Sequence, residues 1–283
     1  MYRIVVAVYW AAVCWFALLP KIAAGEGNGA DVCPQQDGRP VAREDFHLYL
    51  LIGQSNMAGR GKMSKDDQRP VEGVYSLDAK GTWRPAAHPL HFDKPRVAGV
   101  GLGLDFALAM QRAESAKRDV TIGLIPCAFG GTRLDQWNRG DDLYEKAMER
   151  VKIASRCGIL KGVLWHQGEG DSTEKLAPTY GARLVKMFRS LRDDLEDENL
   201  PIVVGEVGRF RIPAQTSLIN AQLNETAERM PGVGCASSDG LQHNGDSTHF
   251  DAPSLKKFGR RYAEQMLECQ RQSADATGEP AGK

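Results

Sequence analysis

From residue 46 onward, short apolar runs alternate with segments whose apolar positions recur every three or four residues. The runs at 46–52, 120–126, 160–165 and 201–207, with a shorter one at 233–237, predict β-strands. The periodic stretches at 101–116, 141–156, 174–194, 214–230 and 252–270 predict helices. Such alternation predicts an α/β domain, a mostly parallel sheet with helices on both faces. In these sheets a site forms at the carboxyl ends of the strands. Ser55, the Gly130-Gly131 turn and Gln167 each directly follow a strand candidate, so one rim should carry all three. The segment 62–98 is rich in charge, Pro and Trp and has weak periodicity; it reads as a long excursion beside that rim. No internal repeat is visible.

The first residues follow another pattern. Arg3 precedes an unbroken apolar run from Ile4 to Leu19, followed by Pro20, Lys21 and the small residues Ala23-Ala24-Gly25. A basic start, an apolar middle and a small-residue end are the layout of a secretory signal peptide, expected over 1–24. The run of 16 residues is shorter than the ~20 that a membrane-spanning helix needs. An exported protein is the expectation, in preference to an uncleaved anchor; no stable membrane span is expected after cleavage. Cys14 lies inside the apolar run, which argues against a lipoprotein. Residues 25–45 read as a polar leader outside the core, 46–270 as the domain, and 271–283 as a small, polar, disordered tail.

Composition narrows the partners. The chain has 283 residues, 42% apolar and 25% charged, which suits one α/β domain with a full core. Without residues 1–24 it carries 34 basic and 36 acidic side chains, a net charge of −2. There is no basic stripe with interleaved aromatics, which argues against nucleic acid. Five cysteines remain: Cys33, Cys127, Cys157, Cys235 and Cys269. An odd count in an exported chain leaves at least one thiol over. Cys127 and Cys157 read as core residues, and a disulfide is expected between two of Cys33, Cys235 and Cys269. No cysteine or histidine spacing suggests a metal site, and no cofactor is expected; His243 and His249 lack a third ligand at usual spacing.

Candidate chemistry begins at "LLIGQSNMAGRG", 51–62. A buried strand delivers Ser55 into what reads as the first turn of a helix. On this stretch alone, Ser55 is either a helix N-cap or a nucleophile beside free backbone N–H groups. "DGLQHNGDSTHFD", 239–251, places Asp246 three residues before His249. In a tight turn that carboxylate would orient the imidazole, as a serine's base requires; otherwise the stretch is a surface loop with an Asx turn. "PCAFGGTRLDQW", 126–137, offers a glycine N–H to an oxyanion, and "VLWHQGEGDS", 163–172, offers the Gln167 amide. Glu169 and Asp171 read as structural hydrogen-bond partners before they read as acids or bases. Met57 occupies the last position of GxSxG, so the lipase-type nucleophile elbow is unsupported.

Taken together, "GQSNMAGRG", "PCAFGGT", "WHQGEGD" and "DSTHFD" resemble, in order, the blocks of the SGNH/GDSL hydrolases. More narrowly they resemble carbohydrate esterase family 6 and the sialate O-acetylesterase (SASA) domain. The likeness extends from about Phe46 to Met266, with "PLHFD" and "GVGLGLDFA" also similar. The resemblance implies a three-layer α/β/α sandwich with a flavodoxin-like sheet, no metal, and acetyl esters on sugars as substrate. It implies Ser55 as nucleophile, His249 as base and Asp246 as orienting carboxylate. It also implies an oxyanion hole from Ser55, Gly131 and Gln167. Gly170 departs from the Ser or Asn usual there. Gln54, Asn56, Arg133, Trp137 and Glu169 are the candidate substrate contacts. Trp137 and Trp165 either stack on sugar or pack, Arg133 either meets substrate or neutralises Asp135, and His91 either lines the site or, as is expected in preference, packs beneath the 62–98 excursion. The expected protein is a secreted serine esterase acting on acetylated carbohydrate. The rivals are an esterase on non-sugar esters and a non-catalytic carbohydrate-binding relative.

Overall fold

The computed structural model describes residues 33–36, 38–115, 119–211 and 214–277. The expected signal peptide, residues 25–32 of the leader and residues 278–283 lie outside the described residues. A short antiparallel ribbon, β1 (Gln35–Gln36) and β2 (Arg39–Pro40), leads into β3 (Phe46–Gly53). β3 sits inside one seven-stranded sheet. On one side of it are β4 (Val74–Leu77), β5 (Trp83–Pro85) and β6 (Thr121–Pro126); on the other are β7 (Ile159–His166), β8 (Ile202–Gly205) and β9 (Val233–Ala236). The order is β5-β4-β6-β3-β7-β8-β9, parallel throughout except for the β4–β5 pair.

Side-chain alternation in β3 explains its unbroken apolar run. Phe46, Leu48, Leu50 and Ile52 enter one core, and Tyr49 and Leu51 the other. A strand covered on both faces needs apolar residues at every position. The first core is closed by α3 (Asp142–Ala154), α4 (Tyr180–Asp194) and α5 (Ala214–Arg229), through side chains such as Val151, Phe188 and Leu223. The second is closed by α2 (Gly103–Ser115) and α6 (Ala252–Thr277), through Phe106, Met110, Phe258 and Met266. The three-layer α/β/α expectation holds. The chain leaves β3 toward one edge and later returns at β7 toward the other, so the carboxyl end of β3 lies at the switch point where such sheets form sites. One helical turn, α1 (Ser55–Ala58), begins there.

Four expectations change. The 62–98 excursion contributes β4 and β5 to the sheet, each too short to show a period. The helix expected from 174 starts at Tyr180, because Pro178 confines the preceding residues to a 3₁₀ turn at Ala177–Thr179. The tail expected to be disordered from 271 is helical as far as Thr277; Glu268 accepts from both Arg271 and Gln272 one turn on. The cysteine pairing also differs. Cys33 joins Cys157, with Cα atoms 5.4 Å apart, while Cys127, Cys235 and Cys269 are free. Cys33 and Val41 lie against the first core, so this part of the leader packs where α3 hands over to β7, a neighbour that spacing could not reveal. Burial pushes the Cys127 thiol up to about 11, Cys235 to about 12 and Cys269 to about 11.

The disulfide closes a loop of 124 residues. Replacing Cys33 and Cys157 together by serine should cost about 2–4 kcal/mol and lower Tm by roughly 5–15 °C, measured by calorimetry under oxidising conditions. An unchanged Tm would mean that the crosslink adds nothing to the packed leader.

Candidate active site

Gly53 ends β3, and the Gln54 N–H donates to His166 O on the neighbouring β7. Met57 and Ala58 then donate back to Gln54 O, which makes Gln54 the cap position of α1 and Ser55 its first residue. The cap reading of Ser55 therefore fails. Its hydroxyl instead lies 2.9 Å from Nε2 of His249. His249 Nδ1–H donates to Asp246 Oδ2 at 2.6 Å, and Asp246 Oδ1 accepts the amides of Thr248 and His249 at 2.8 and 2.7 Å. The tight turn that the three-residue spacing required is thus present, with Ser247 in the left-handed region at φ 54°. Burial alone would raise the Asp246 pKa; hydrogen bonds from the His249 amide and ring and the Thr248 amide outweigh it and hold the carboxyl below its ordinary value. With Nδ1–H committed to Asp246, the Nε2 lone pair faces the Ser55 O–H, an arrangement able to accept the serine proton.

Asn56 joins the two halves. Its Nδ2–H₂ donates to Thr248 O at 3.1 Å and its Oδ1 accepts the Phe250 N–H at 3.1 Å, the residues on either side of His249. The same amide group donates to Glu169 Oε1 at 2.5 Å. His166 Nε2 lies 3.6 Å from that oxygen, and its Nδ1–H donates to Tyr262 Oη at 3.0 Å. Burial acts to raise the Glu169 pKa, but His166 and Asn56 overcome it and the net shift is downward. Asn56 and Glu169 are both buried. Both were expected as substrate contacts; the bonds that they make here lie within the protein and brace the His249 loop.

The loop after β6 carries the residues expected on the oxyanion side. Gly131 has φ +85°, a conformation that favours glycine, and among the described residues neither its N–H nor that of Ser55 has a hydrogen-bond partner. Gly130 N–H is fixed at 2.8 Å on Asp93 Oδ2, and Arg60 binds the same carboxylate oxygen at 2.6 Å. Burial acts to raise the Asp93 pKa, but the bonds from Arg60 and Gly130 win, and the carboxyl titrates below its ordinary value. A Cβ added at Gly130 would sit 3.5 Å from Ser55 Cβ, so this clamped loop lies directly beside the serine. Arg60 and Asp93 were missed from sequence; their only signals were their places in the family-like "GQSNMAGRG" and "PLHFD". Gln167 is a correction. Its Nε2–H₂ donates to Asp171 Oδ2 at 2.7 Å and Thr132 O at 3.2 Å, so both N–H bonds are spent within the protein and neither can serve an oxyanion. Asp171 is the structural partner expected, also accepting from Leu134 N and Arg183.

The remaining candidates separate by burial. Trp137 is a further correction: it is buried, edge-on to Trp165 at 5.6 Å with its Nε1–H on Thr132 Oγ1, and offers no face to a sugar. His91 is buried within the excursion, as expected, and burial pushes its pKa down to about 3. Gln54 Oε1 accepts the Gly170 N–H at 3.2 Å, and a Cβ at Gly170 would meet Thr132 O at 2.7 Å, which explains the glycine here. Arg133 stays exposed, 3.4 Å from Asp135. His243 Nδ1 accepts the Gly245 and Ser247 amides and so braces the loop. Among the described residues no group of three His, Cys, Asp or Glu side chains is placed to hold a metal ion.

Two outcomes follow from these contacts. Asn56→Ala should free the His249 loop and lower kcat on a small acetate ester by about 10²-fold with little change in KM, because misplacing a reacting group by about 1 Å costs that much. Full activity in this variant would show that the loop holds itself. Glu169 and Asp93, both depressed in the fold, contribute stability above their unfolded pKa near ~4, and it is lost as pH falls through the folded values. Glu169→Gln and Asp93→Asn should therefore flatten Tm against pH below about pH 5; parallel wild-type and variant curves would contradict the assignment.

Comparison with known proteins gives the family and the fold. The family model described as "Carbohydrate esterase, sialic acid-specific acetylesterase" matches residues 45–268. A probable carbohydrate esterase of Arabidopsis thaliana is 31% identical over 264 residues, 85% of this chain and 98% of that one. The X-ray structure of an Arabidopsis thaliana protein superposes with a TM-score of 0.72 at 30% identity, covering 78% of this chain and 98% of that one. NanS gives a TM-score of 0.64 at 16% identity over 82% of this chain and 99% of that one. A carbohydrate acetylesterase from Xanthomonas citri gives 0.60 at 19% identity, covering 80% of this chain and 57% of that one; these last two show the fold alone. The chain belongs to the SASA family of carbohydrate esterases, the sialic acid-specific acetylesterase family.

Proposed function

We propose that the chain is an exported serine esterase that removes O-acetyl groups from carbohydrate. The observation that carries this reading is the continuous Ser55–His249–Asp246 array, at 2.9 and 2.6 Å, beside a clamped glycine turn. In the proposed reaction His249 Nε2 takes the Ser55 proton as Oγ attacks the acetyl carbonyl. The Ser55 and Gly131 N–H groups receive the oxyanion. The proton passes to the departing sugar oxygen, leaving an acetyl-enzyme. Water, deprotonated by His249, then releases acetate. Asp246 keeps its charge throughout and stabilises the imidazolium.

Export rests on the layout of residues 1–24 and is supported by the Cys33–Cys157 disulfide, a bond that persists in oxidising compartments. Among the described residues no helix is long and apolar enough to cross a membrane. The sugar is left to assay: acetate release from acetylated xylan, acetylated sialic acid and acetylated pectin, measured side by side, ranks the three.

Ser55→Ala should fold normally, since Ser55 makes no cap bond, and should lose about 10³–10⁶ of esterase activity on any acetate ester. A variant keeping a tenth of wild-type activity would remove Ser55 from the reaction.

A further inference from the structure

The clamped glycine turn has a second side. A cavity of about 480 Å³ lies between the end of β6, the helix α3, residues 79–81 and residues 91–93. Phe129 and Phe92 line it, 41% and 40% exposed, two of the four large hydrophobic side chains left exposed among the described residues. Phe129 immediately precedes Gly130, so its ring begins one residue from the wall beside Ser55.

Both rings are held by cations. Arg150 lies 4.9 Å from the Phe92 centroid and is anchored on Leu77 O and Asp78 O. Lys94 Nζ lies 5.8 Å from the Phe129 centroid and donates to Gly130 O at 2.8 Å. Each ring thus has an anchored cation beside it and remains partly open to a flat ligand. Apolar side chains, Leu143, Ile153, Pro126 and Ala128, form its floor, while Lys80 and Lys146 supply donors and Glu149 an acceptor. Aromatic surface with convergent polar groups suits a polyhydroxylated ring, whose C–H face stacks while its hydroxyls find partners. Lys80, Lys146 and Glu149 offer hydrogen-bond partners that ring hydroxyls can use and a long acyl chain cannot.

We propose that this cavity is a glycan subsite, which receives a sugar unit adjoining the one whose acetyl group lies at Ser55. The proposal rests on the esterase reading and extends it: the substrate is an oligosaccharide or polysaccharide, and Phe129 and Phe92, in place of Trp137, are its stacking surfaces.

The test is a substrate series: 4-nitrophenyl acetate, 4-nitrophenyl octanoate, and peracetylated xylo- and cello-oligosaccharides of one to four units. The wild type should show kcat/KM rising with sugar length in at least one series. In Phe129→Ala and Phe92→Ala that rise should be lost, and the ratio of kcat/KM for the longest sugar to that for 4-nitrophenyl acetate should fall about tenfold, mainly through KM, the expected scale for one aromatic contact. Length-independent wild-type activity would overturn the subsite. So would an equal loss on every substrate, which would mean that the rings only support the glycine turn, or a change in the octanoate-to-acetate ratio instead, which would place the acyl chain there. Wild-type activity that survives Ser55→Ala would fail the parent reading, an outcome separable from all of these.

Discussion

The site depends on one amide. Ser55 and His249 are 194 residues apart in sequence and must meet at 2.9 Å. Ser55 rides on the central strand of the sheet, whereas His249 lies on the loop that follows β9 at the edge. Asn56, the residue next to the serine, closes the gap with bonds to Thr248 and Phe250 on either side of the histidine. It is fully buried, so water does not compete for those bonds. Glu169, from the loop after β7, holds the same amide. Three strand-end loops thus converge on Asn56, and the serine–histidine distance is set by a group that need not touch substrate.

The other half of the site has its own brace. Arg60 and Asp93, both nearly inaccessible, spend their charges on each other and on Gly130 N–H. Burying charge is costly and is repaid only with good geometry. Here the return is positional. The turn carrying Gly131 is fixed to the segment just before the Lys94 and Phe129 contact, so the oxyanion side and the proposed glycan surface move as one unit. Depressed carboxylates on both sides, Glu169 and Asp93, make this organisation sensitive to acid.

Much of this was legible in the residue pattern, for identifiable reasons. β3 and β6 are covered on both faces, so their apolar runs are long and unambiguous. Asp246 and His249 interact within one turn, so spacing alone carries the geometry. What failed was non-local. Gln167 and Trp137 look functional in a motif, but their partners, Asp171, Thr132 and Trp165, are set by how adjacent loops stack. Cys33 meets Cys157 because the leader folds back along the core, a path no spacing rule records. β4 and β5 are four and three residues long, below the length at which alternation is visible.

The central claim is that Ser55, activated by His249, is the nucleophile. Labelling with an aryl phosphonate ester, followed by peptide mass spectrometry and parallel assay, tests it most directly. The account predicts one adduct per chain, on the peptide bearing Ser55 and at its hydroxyl, with esterase activity lost in step with labelling. Inactivation with the adduct on another residue, or full activity in protein labelled at Ser55, would contradict it.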